Sequence, residues 1–329
     1  MELYEKNGNI LYILNILKKY SDEEHMLSAV EIQSKIKEIY DVSIDPRTIR
    51  RNINLLKYKL EYDISTWEEN GKGYYISKDP DTDFEKGEVR AIIDNFSYAS
   101  YIVPTVAKNI IKKCKKLQNI YENEELSDYR IYANDNKTDN MEVIKNIEDI
   151  SKAIHNNNKI QFEYWKYNMD KKLEKMIVSK PIVSPYAIVY NKQEFYMIGI
   201  KEGKENFYNY RIDRIKNLKQ LDEEITLKRT TKQIKEFAES NVEMFGGEKV
   251  QIEAECKTML IDAVIEQFGK NITIEKINAD KFKLTVDANP LGFKFWAMRN
   301  IDCVEIIKPE DLRKEMIKII DEAKKKYED

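Results

Sequence analysis

The segment Pro46–Leu60 constrains the fold more than any other part of the chain, because it joins a helix start, an apolar face and a basic face. Asp45 and Pro46 are residue types preferred at the N-cap and the first position of a helix. Apolar residues at helical spacing predict a buried face made of Ile49, Ile53, Leu56 and Leu60. The opposite face carries Arg47, Thr48, Arg50, Arg51, Asn54 and Lys57.

This helix contains basic residues and no acidic one, although Asp and Glu make up 58 of the 329 residues. Arginines read guanine edges and contact phosphates in the major groove, and Asn and Thr add further donors. The segment therefore predicts a DNA-recognition helix. The alternative from the pattern alone is a solvated, charged helix face.

Two helices are predicted before this segment and a hairpin after it. The first has its apolar stripe between Ile10 and Leu17, and a capping box at Ser28 and Glu31 starts the second. The residues that follow, YDISTW-EENGKG-YYI, alternate in polarity around a Gly-containing turn, as a hairpin does. This order is that of a winged helix-turn-helix, in which Lys72 at the hairpin tip is expected to contact the DNA backbone or minor groove.

The rest of the chain divides at Asp79-Pro80-Asp81, where residue types that break a strand follow one another. Helical patterns with apolar stripes then run from Phe84 to Tyr121. These predicted helices have more apolar surface than a helix that only connects two domains needs. They are expected to be buried between domains or against a second copy of the chain. Met316, Ile319 and Ile320 of the terminal helix are predicted to be exposed and to contribute to the same dimer.

A strand-dense region follows a helix through Ile144 and Ile154, and it predicts a small barrel. The predicted strands are Lys159–Trp165, Lys175–Val183, Pro185–Tyr190, Glu194–Ile200 and Asn206–Ile212. From residue 250 the order becomes β-α-β-β-α-β with a terminal helix, a ferredoxin-like arrangement. The fold class is therefore α+β multidomain, with domains at 1–78, 79–139, 140–228 and 229–329.

Composition excludes several function classes. The net charge of −3 excludes a globally basic nucleic-acid binder, though a local basic surface is compatible with it. Two histidines and three dispersed cysteines predict no metal site and no cofactor, and a reducing, cytoplasmic setting. Neither a signal-peptide pattern nor a membrane-spanning run is found, so no membrane partner is expected. Without a nucleophile elbow or a phosphate-binding glycine loop, the chain is not expected to be an enzyme.

The chain resembles transcriptional regulators of the WYL family, which carry a winged helix-turn-helix, a WYL domain and a C-terminal extension called WCX. Three groups of segments carry the resemblance: RTIRRNINLL with GKGYYI, then KIQFEYW with SKPIVSPYAIVYNKQEFYMIGI and NYRIDRI, and finally FAESNVEMFGGEKVQIEAEC with VIEQFGKNITI and FKFWAM. The naming motif departs from the family and reads Phe195-Tyr196-Met197, which keeps the tyrosine. Asn52 stands where the family commonly has Asp.

The resemblance implies an Sm-like barrel with a surface pocket for a regulatory ligand. The positions that match this pocket are Tyr164, Ser184, Tyr186, Tyr196, Arg211 and Arg214. Two arginines three residues apart can clamp phosphate oxygens, and tyrosines can stack on a base, so a nucleotide or short single-stranded nucleic acid is the expected effector. The structural alternatives are half-buried barrel tyrosines and an internal ion pair between Arg211 and Asp213.

The predicted function is that of a sequence-specific DNA-binding transcriptional regulator, switched by an effector on the WYL domain. A homodimer on a pseudo-palindromic duplex operator is expected, because two recognition helices multiply the base contacts. One alternative keeps the fold but has no promoter: a module whose central barrel binds RNA or single-stranded DNA. Another is an accessory subunit of a nucleic-acid-processing system.

Overall fold

The structure is a computed structural model that describes residues 2–127, 137–175, 180–191, 193–240 and 249–328. The chain forms two compact units, Met1–Lys137 and Thr138–Asp329. Both contain helices and antiparallel strands. The predicted α+β class is therefore confirmed. Within the described ranges, no helix combines the length and the apolar character that crossing a membrane requires.

The first unit begins with three helices that share one core: α1 (Glu2–Tyr20), α2 (Ala29–Tyr40) and α3 (Pro46–Lys59). Both predicted helix starts are confirmed. The Ser28 backbone N–H donates to the Glu31 carboxylate at 2.7 Å and the Ser28 hydroxyl accepts from the Glu31 N–H at 3.2 Å. The Asp45 carboxylate accepts from the Arg47 N–H at 2.7 Å. The predicted burial of Leu60 is wrong, because Leu60 is the C-cap of α3, where the apolar face ends, and it is 55% exposed.

The predicted hairpin is shorter than its sequence pattern. Strands β1 (Ile64–Ser65) and β2 (Tyr75–Ile76) pair antiparallel, and a single helical turn, α4 (Trp67–Asn70), lies between them. A capping box between Thr66 and Glu69 starts this turn and replaces the predicted strand end. The Asn70 side chain and Gly71, with φ of +69°, then shape the tip.

The connector consists of α5 (Lys86–Tyr98), α6 (Pro104–Lys115) and α7 (Ile120–Ser127), with Pro104 opening α6 as predicted. Its buried polar side chains hold it to the three-helix module. Gln118 accepts from the Lys78 ammonium group at 2.6 Å, and Asn119 donates to Asp22 at 3.2 Å. The loop predicted from Ser127 to Asn140 lies mostly outside the described residues.

The second unit starts with α8 (Val143–Asn156), which packs on a curled antiparallel sheet. Its strands are β3 (Asn158–Tyr167), β4 (Leu173–Lys175), β5 (Ile182–Asn191), β6 (Glu194–Lys201), β7 (Tyr208–Arg211) and β8 (Ile215–Glu224). The strand order is β4-β3-β5-β6-β7, and β8 pairs with β3. Residues 176–179, within one predicted strand, lie outside the described residues.

Strand β8 is not among the predicted strands. It follows a 3₁₀ turn, Ile212–Arg214, and only its first residue is buried. The remaining positions are rich in charged residues, so the sequence lacks the apolar alternation by which strands are recognised.

The chain continues through α9 (Thr231–Ser240) into a second sheet with its own core. Its elements are β9 (Val250–Lys257), α10 (Ile261–Phe268), β10 (Thr273–Lys276), β11 (Lys281–Ala288), α11 (Pro290–Arg299), β12 (Val304–Lys308) and α12 (Glu310–Glu328). The strand order is β10-β11-β9-β12, antiparallel throughout. Met316 of α12 is only 5% exposed and belongs to this core, so its predicted place on a dimer face is wrong.

Candidate nucleic-acid interface and effector site

Helix α3 presents the basic face that the sequence predicts. Ile49, Ile53 and Leu56 are buried in the core of the first unit. The side chains exposed on the other faces include Arg47, Arg50, Arg51 and Asn54. Among the described residues no salt bridge involves these arginines, although Arg50 hydrogen-bonds the hydroxyl of Tyr74. In the part of the chain that the structure describes, the guanidinium groups of Arg47 and Arg51 are therefore exposed and form no salt bridge.

Two of the predicted contact residues, Lys57 and Thr48, are less exposed than the arginines and make contacts within the protein. The Lys57 ammonium group donates to the Ile64 carbonyl oxygen at 2.6 Å and to the Glu69 carboxylate at 2.5 Å. Its side chain is only 18% exposed, and it ties α3 to the β1–β2 ribbon. Thr48 is half-buried, and its carbonyl oxygen accepts from the Asn52 side chain at 2.9 Å. The pairing of Lys57 with Glu69 joins residues twelve positions apart, so helical spacing gives no signal for it.

Lys72 lies exposed at the tip of the ribbon, next to Gly71. Its backbone N–H donates to the Asn70 side-chain oxygen at 2.7 Å, and the Gly73 N–H donates to the same atom at 3.0 Å. This tight turn holds the tip in one shape while the Lys72 ammonium group stays in solvent.

A shallow pocket of 580 Å³ lies between α1 and α3. Its lining residues are Ile10, Arg51, Asn52, Asn54, Leu55, Tyr58 and Lys59. The sequence-based set omits Tyr58, which is 65% exposed. Tyr58 follows Arg51 by seven residues and Asn54 by four, so helical periodicity places it on the same face. The pocket adds an aromatic ring and a hydroxyl to the basic face.

Four of the predicted effector residues converge around the turn between β7 and β8. Tyr196 on β6 is the cross-strand partner of Arg211 on β7, and Tyr164 on β3 is the partner of Ile215 at the start of β8. The Tyr164 hydroxyl accepts from the Arg211 backbone N–H at 3.1 Å. Arg214 is the last residue of the 3₁₀ turn between these strands.

Arg211 is held by acidic side chains. Its guanidinium group donates to both oxygens of Asp213, at 3.0 and 2.8 Å, and lies 2.6 Å from a carboxylate oxygen of Glu194. Asp213 is only 4% exposed. Burial disfavours the charged form of Arg211, but hydrogen bonding and the charge of Asp213 outweigh it and raise the pKa of Arg211. The ion pair between Arg211 and Asp213, which the sequence offered as an alternative to a ligand site, is therefore present. Glu194 is a second acidic partner of Arg211 that the sequence did not indicate.

Arg214 has different surroundings. Its Nε atom is buried, and among the described residues it has no hydrogen-bond partner. The phenols of Tyr164 and Tyr196 lie within electrostatic reach of Arg214, and burial raises the pKa of both, so they stay neutral donors at physiological pH. A buried guanidinium N–H without an acceptor is costly, and an anionic oxygen would satisfy it. Arg214 is therefore the candidate anion-binding side chain of this turn.

Ser184 and Tyr186, the other two predicted effector residues, take part in packing. Both are buried on β5, and the Tyr186 hydroxyl donates to the Leu227 carbonyl oxygen. The Tyr186 ring packs edge-on against Phe207 at 5.5 Å, and Phe207 contacts Phe237 of α9 at 4.9 Å. These contacts attach the segment after β8 to the sheet.

Within the described residues, no group of three or more His, Cys, Asp or Glu side chains has the arrangement of a metal site.

Comparison with known proteins identifies the region that contains this turn. Residues 145–220, from α8 into β8, match the WYL domain family, which confirms the predicted WYL resemblance. Among solved structures, proteasome accessory factor B/C (PafBC) of Arthrobacter aurescens is similar with 13% identity over 98% of this chain and a TM-score of 0.27. This chain spans 49% of that one. A CRISPR Cas-related protein is similar with 17% identity over 95% of this chain and 97% of its own, with a TM-score of 0.40. No curated protein matches the sequence.

Proposed function

We propose that this chain is a WYL-domain transcriptional regulator that binds duplex DNA through α3 and responds to a phosphate-bearing effector at the β7–β8 turn. Proteins with WYL domains bind nucleic acids and regulate transcription, and residues 145–220 form such a domain. The observation that carries the proposal is the acid-free face of α3, whose arginines are exposed and form no salt bridge within the described residues. The proposal includes no catalytic activity.

The elements around α3 support a winged helix-turn-helix. Helices α2 and α3 are joined by a short turn and share one core, and the β1–β2 ribbon follows directly. In this motif the second helix enters the major groove, where Arg47, Arg51 and Asn54 are suited to contact bases and phosphates. We assign the two sheets of the second unit to an Sm-like barrel and a ferredoxin-like WCX domain, on the strand orders given above.

Arg214 supports an effector that carries phosphate. The unsatisfied Nε and the neighbouring phenols provide donors for anionic oxygens and rings for stacking. A nucleotide or a short single-stranded nucleic acid offers both a phosphate and a base, so this class of effector fits better than an inorganic anion.

Buried hydrogen bonds connect this turn to the segment that joins the two units. The Asn140 side chain donates to the carbonyl oxygens of Asp213 and Ile215 at 2.9 and 2.8 Å, and Asn146 donates to Ile215 at 2.7 Å. Three residues before Asn140, the Lys137 ammonium group donates to the Ala99 carbonyl oxygen at 2.7 Å, after the end of α5. These bonds support a route by which a ligand at the turn acts on the segment leading to the DNA-binding unit. The mechanism that we propose is a population shift, in which the ligand binds one arrangement of this segment better than another.

The proposal includes a homodimer and a cytoplasmic location. One winged helix reads few base pairs, whereas two copies on a pseudo-palindrome multiply the contacts. Free cysteines, two of them buried, suit a reducing compartment in which DNA is accessible.

The test compares duplex binding by Arg47→Ala, Arg51→Ala and the double variant. If the arginines read bases, each substitution should cost about 1–3 kcal/mol for the cognate duplex, measured by a mobility-shift titration on the DNA upstream of the coding sequence. Arg299→Ala, at an exposed arginine of the second unit, is the matched control and should bind like the wild type.

Wild-type affinity in all three α3 variants would show that the recognition helix is misassigned. Single strands of equal length complete the comparison. Tighter binding to single strands than to the duplex would favour the alternative of a module for single-stranded nucleic acid.

A further inference from the structure

Helix α6 carries a second basic surface that is free of acidic residues. No Asp or Glu occurs from Asn95 to Tyr121, in a chain whose acidic residues outnumber its basic ones, 58 to 55. Over the same stretch the basic residues are Lys108, Lys112, Lys113, Lys115 and Lys116. Outside α3, the first unit thus has a second helix whose charges are all positive.

Three exposed lysines in α6 and at its C-cap recur at helical spacing. Lys108, Lys112 and Lys116 follow one another at intervals of four residues, so they lie along one side of the helix, about 6 Å apart along its axis. We call these three residues the α6 lysine stripe. The opposite side packs into the connector core, where Ala107 is buried and Ile111 and Cys114 contact the cluster around Val89 and Ile93.

The stripe is not neutralised by the protein itself. Among the described residues, no salt bridge or hydrogen bond joins its ammonium groups to a carboxylate. Helix α12 shows the contrasting arrangement, in which Lys314, Lys318 and Lys324 pair with glutamates four residues away, at 2.8, 3.9 and 3.4 Å. A helix whose lysines serve only solubility is expected to resemble α12.

The helix dipole explains part of the stripe only. Cations near a helix C-terminus are favourable, which applies to Lys112 and Lys116 in the last turn and at the cap. Lys108 lies in the first half of α6, beyond the reach of this effect. Three like charges at four-residue spacing repel one another, so the arrangement favours an external polyanion.

We propose that the α6 lysine stripe binds the phosphate backbone of duplex DNA outside the base pairs that α3 reads. The inference rests on the proposed function. The occupant is duplex DNA because α6 and α3 belong to the same compact unit, and because Gln118 and Asn119, just after α6, hold the connector to the three-helix module. Lysines are compact point charges without the planar fork that reads guanine, so the contact is independent of sequence.

The test replaces the stripe by neutral residues in the full chain. The variant Lys108→Gln/Lys112→Gln/Lys116→Gln should lose affinity about tenfold or more at low salt, equally for the upstream DNA and for an unrelated duplex of the same length. The slope of log K against log salt should become shallower by about two to three, because each neutralised phosphate contributes about 0.9.

Two matched variants control for charge and folding. Lys314→Gln/Lys318→Gln/Lys324→Gln removes the same charge from α12 and should bind both duplexes like the wild type. Replacing the α6 stripe by arginine keeps the charge and should keep both affinity and slope. If the glutamine variant has a lower melting temperature, Lys108→Gln alone should still make the slope shallower by about 0.9.

Failure of this inference and failure of the proposed function give different results. If the wild type binds the upstream duplex and the α6 variant retains its affinity and salt slope, the stripe has no role in DNA binding. If the wild type binds no duplex at all, the proposed function is wrong and the inference falls with it. The α6 glutamine variant is also compared with the wild type on phosphatidylserine vesicles. If the variant loses vesicle binding and still binds duplex DNA like the wild type, the stripe belongs to a membrane-binding surface and the proposal is overturned.

Discussion

At the scale of single residues, the turn between β7 and β8 gives different surroundings to two arginines that the sequence presents as a pair. The guanidinium group of Arg211 is paired with the carboxylates of Asp213 and Glu194. Arg214, in contrast, has a buried Nε atom without a hydrogen-bond partner among the described residues. The first arrangement stabilises the folded sheet, and the second leaves one buried donor of Arg214 unsatisfied. We therefore expect substitution of Arg211 to change the stability of the protein, and substitution of Arg214 to change its response to a ligand.

Arg211→Ala should destabilise the protein by roughly 2–4 kcal/mol, because it leaves the buried Asp213 carboxylate without its partner. Arg214→Ala should retain the stability of the wild type and lose the rise in melting temperature that a short single-stranded DNA or a nucleotide produces. Urea unfolding measures the first effect and thermal shift with added ligand measures the second. A normal ligand response in Arg214→Ala would place the effector elsewhere.

Glu163 links three strands through its carboxylate. It accepts from Lys175 of β4 at 3.0 Å and from the Asn217 side chain of β8 at 3.0 Å, while Glu163 itself lies on β3. The hydrogen bond from Lys175, followed by that from Asn217, lowers the pKa of Glu163 to about 2. The carboxylate therefore stays ionised in the folded state at pH values where the unfolded chain protonates it.

A lowered pKa in the folded state fixes the direction of the pH effect. The stabilisation from Glu163 should be complete above about pH 4.5 and should be lost as the pH falls toward 2. In Glu163→Gln the melting temperature should depend less steeply on pH across this window. Identical pH profiles for this variant and the wild type would contradict the assignment.

At the scale of elements, the curled sheet depends on a close approach between β5 and β6. A Cβ atom at Gly199 would lie 2.5 Å from Val183 Cγ1 and 3.1 Å from the Ser184 carbonyl oxygen. Val183 is completely buried, so it has no free space into which to move. Gly199 on β6 is the cross-strand partner of Pro185 on β5. Because glycine has no Cβ atom, the two strands can approach each other closely at this position.

Gly199→Ala should destabilise the second unit by about 1–3 kcal/mol through overpacking, as measured by chemical unfolding. Gly87→Ala is the matched control, since nothing lies within 4 Å of a Cβ atom at that position of α5. This control should be neutral or stabilising by up to about 1 kcal/mol, because alanine favours a helix more than glycine does. Equal stability of the two variants would show that β5 and β6 can separate freely.

At the scale of the whole molecule, apolar side chains remain exposed on the last two helices. Leu291 and Phe295 of α11 are 42% and 44% exposed, and Ile317 and Ile320 of α12 are 49% and 44% exposed. Large exposed apolar patches mark association surfaces, and we propose that these side chains contribute to one. They are the surface that the proposed homodimer would cover in the C-terminal region.

Light scattering at micromolar concentration should give twice the 39.0 kDa mass of one chain. Phe295→Glu/Ile320→Glu should give the mass of a single chain and bind a palindromic duplex more weakly, because the second recognition helix is lost. Met259→Glu, at an exposed apolar residue outside α11 and α12, is the control and should remain dimeric. A wild-type mass of 39.0 kDa would remove the argument for a two-fold operator.

Local patterns in the sequence were sufficient for much of the fold. The capping box at Ser28, the Asp45-Pro46 start and the periodicity of α3 all depend on neighbours within four residues, and the structure confirms each of them. The WYL resemblance was likewise evident from segments in their order along the chain. Short-range rules of this kind act in the same way whatever the tertiary context.

Tertiary structure decided which charged side chains remain free. Lys57 reaches Glu69, Arg211 reaches Glu194, and Asn140 reaches the carbonyl oxygen of Ile215 across 75 positions. No spacing rule indicates such partners, because strand pairing and chain reversal bring them together after the local elements have formed. The residue types at the α3 face and at the β7–β8 turn were therefore predictable from the sequence. Only the fold shows that Arg211 is held by Asp213 and Glu194, whereas Arg214 Nε has no hydrogen-bond partner among the described residues.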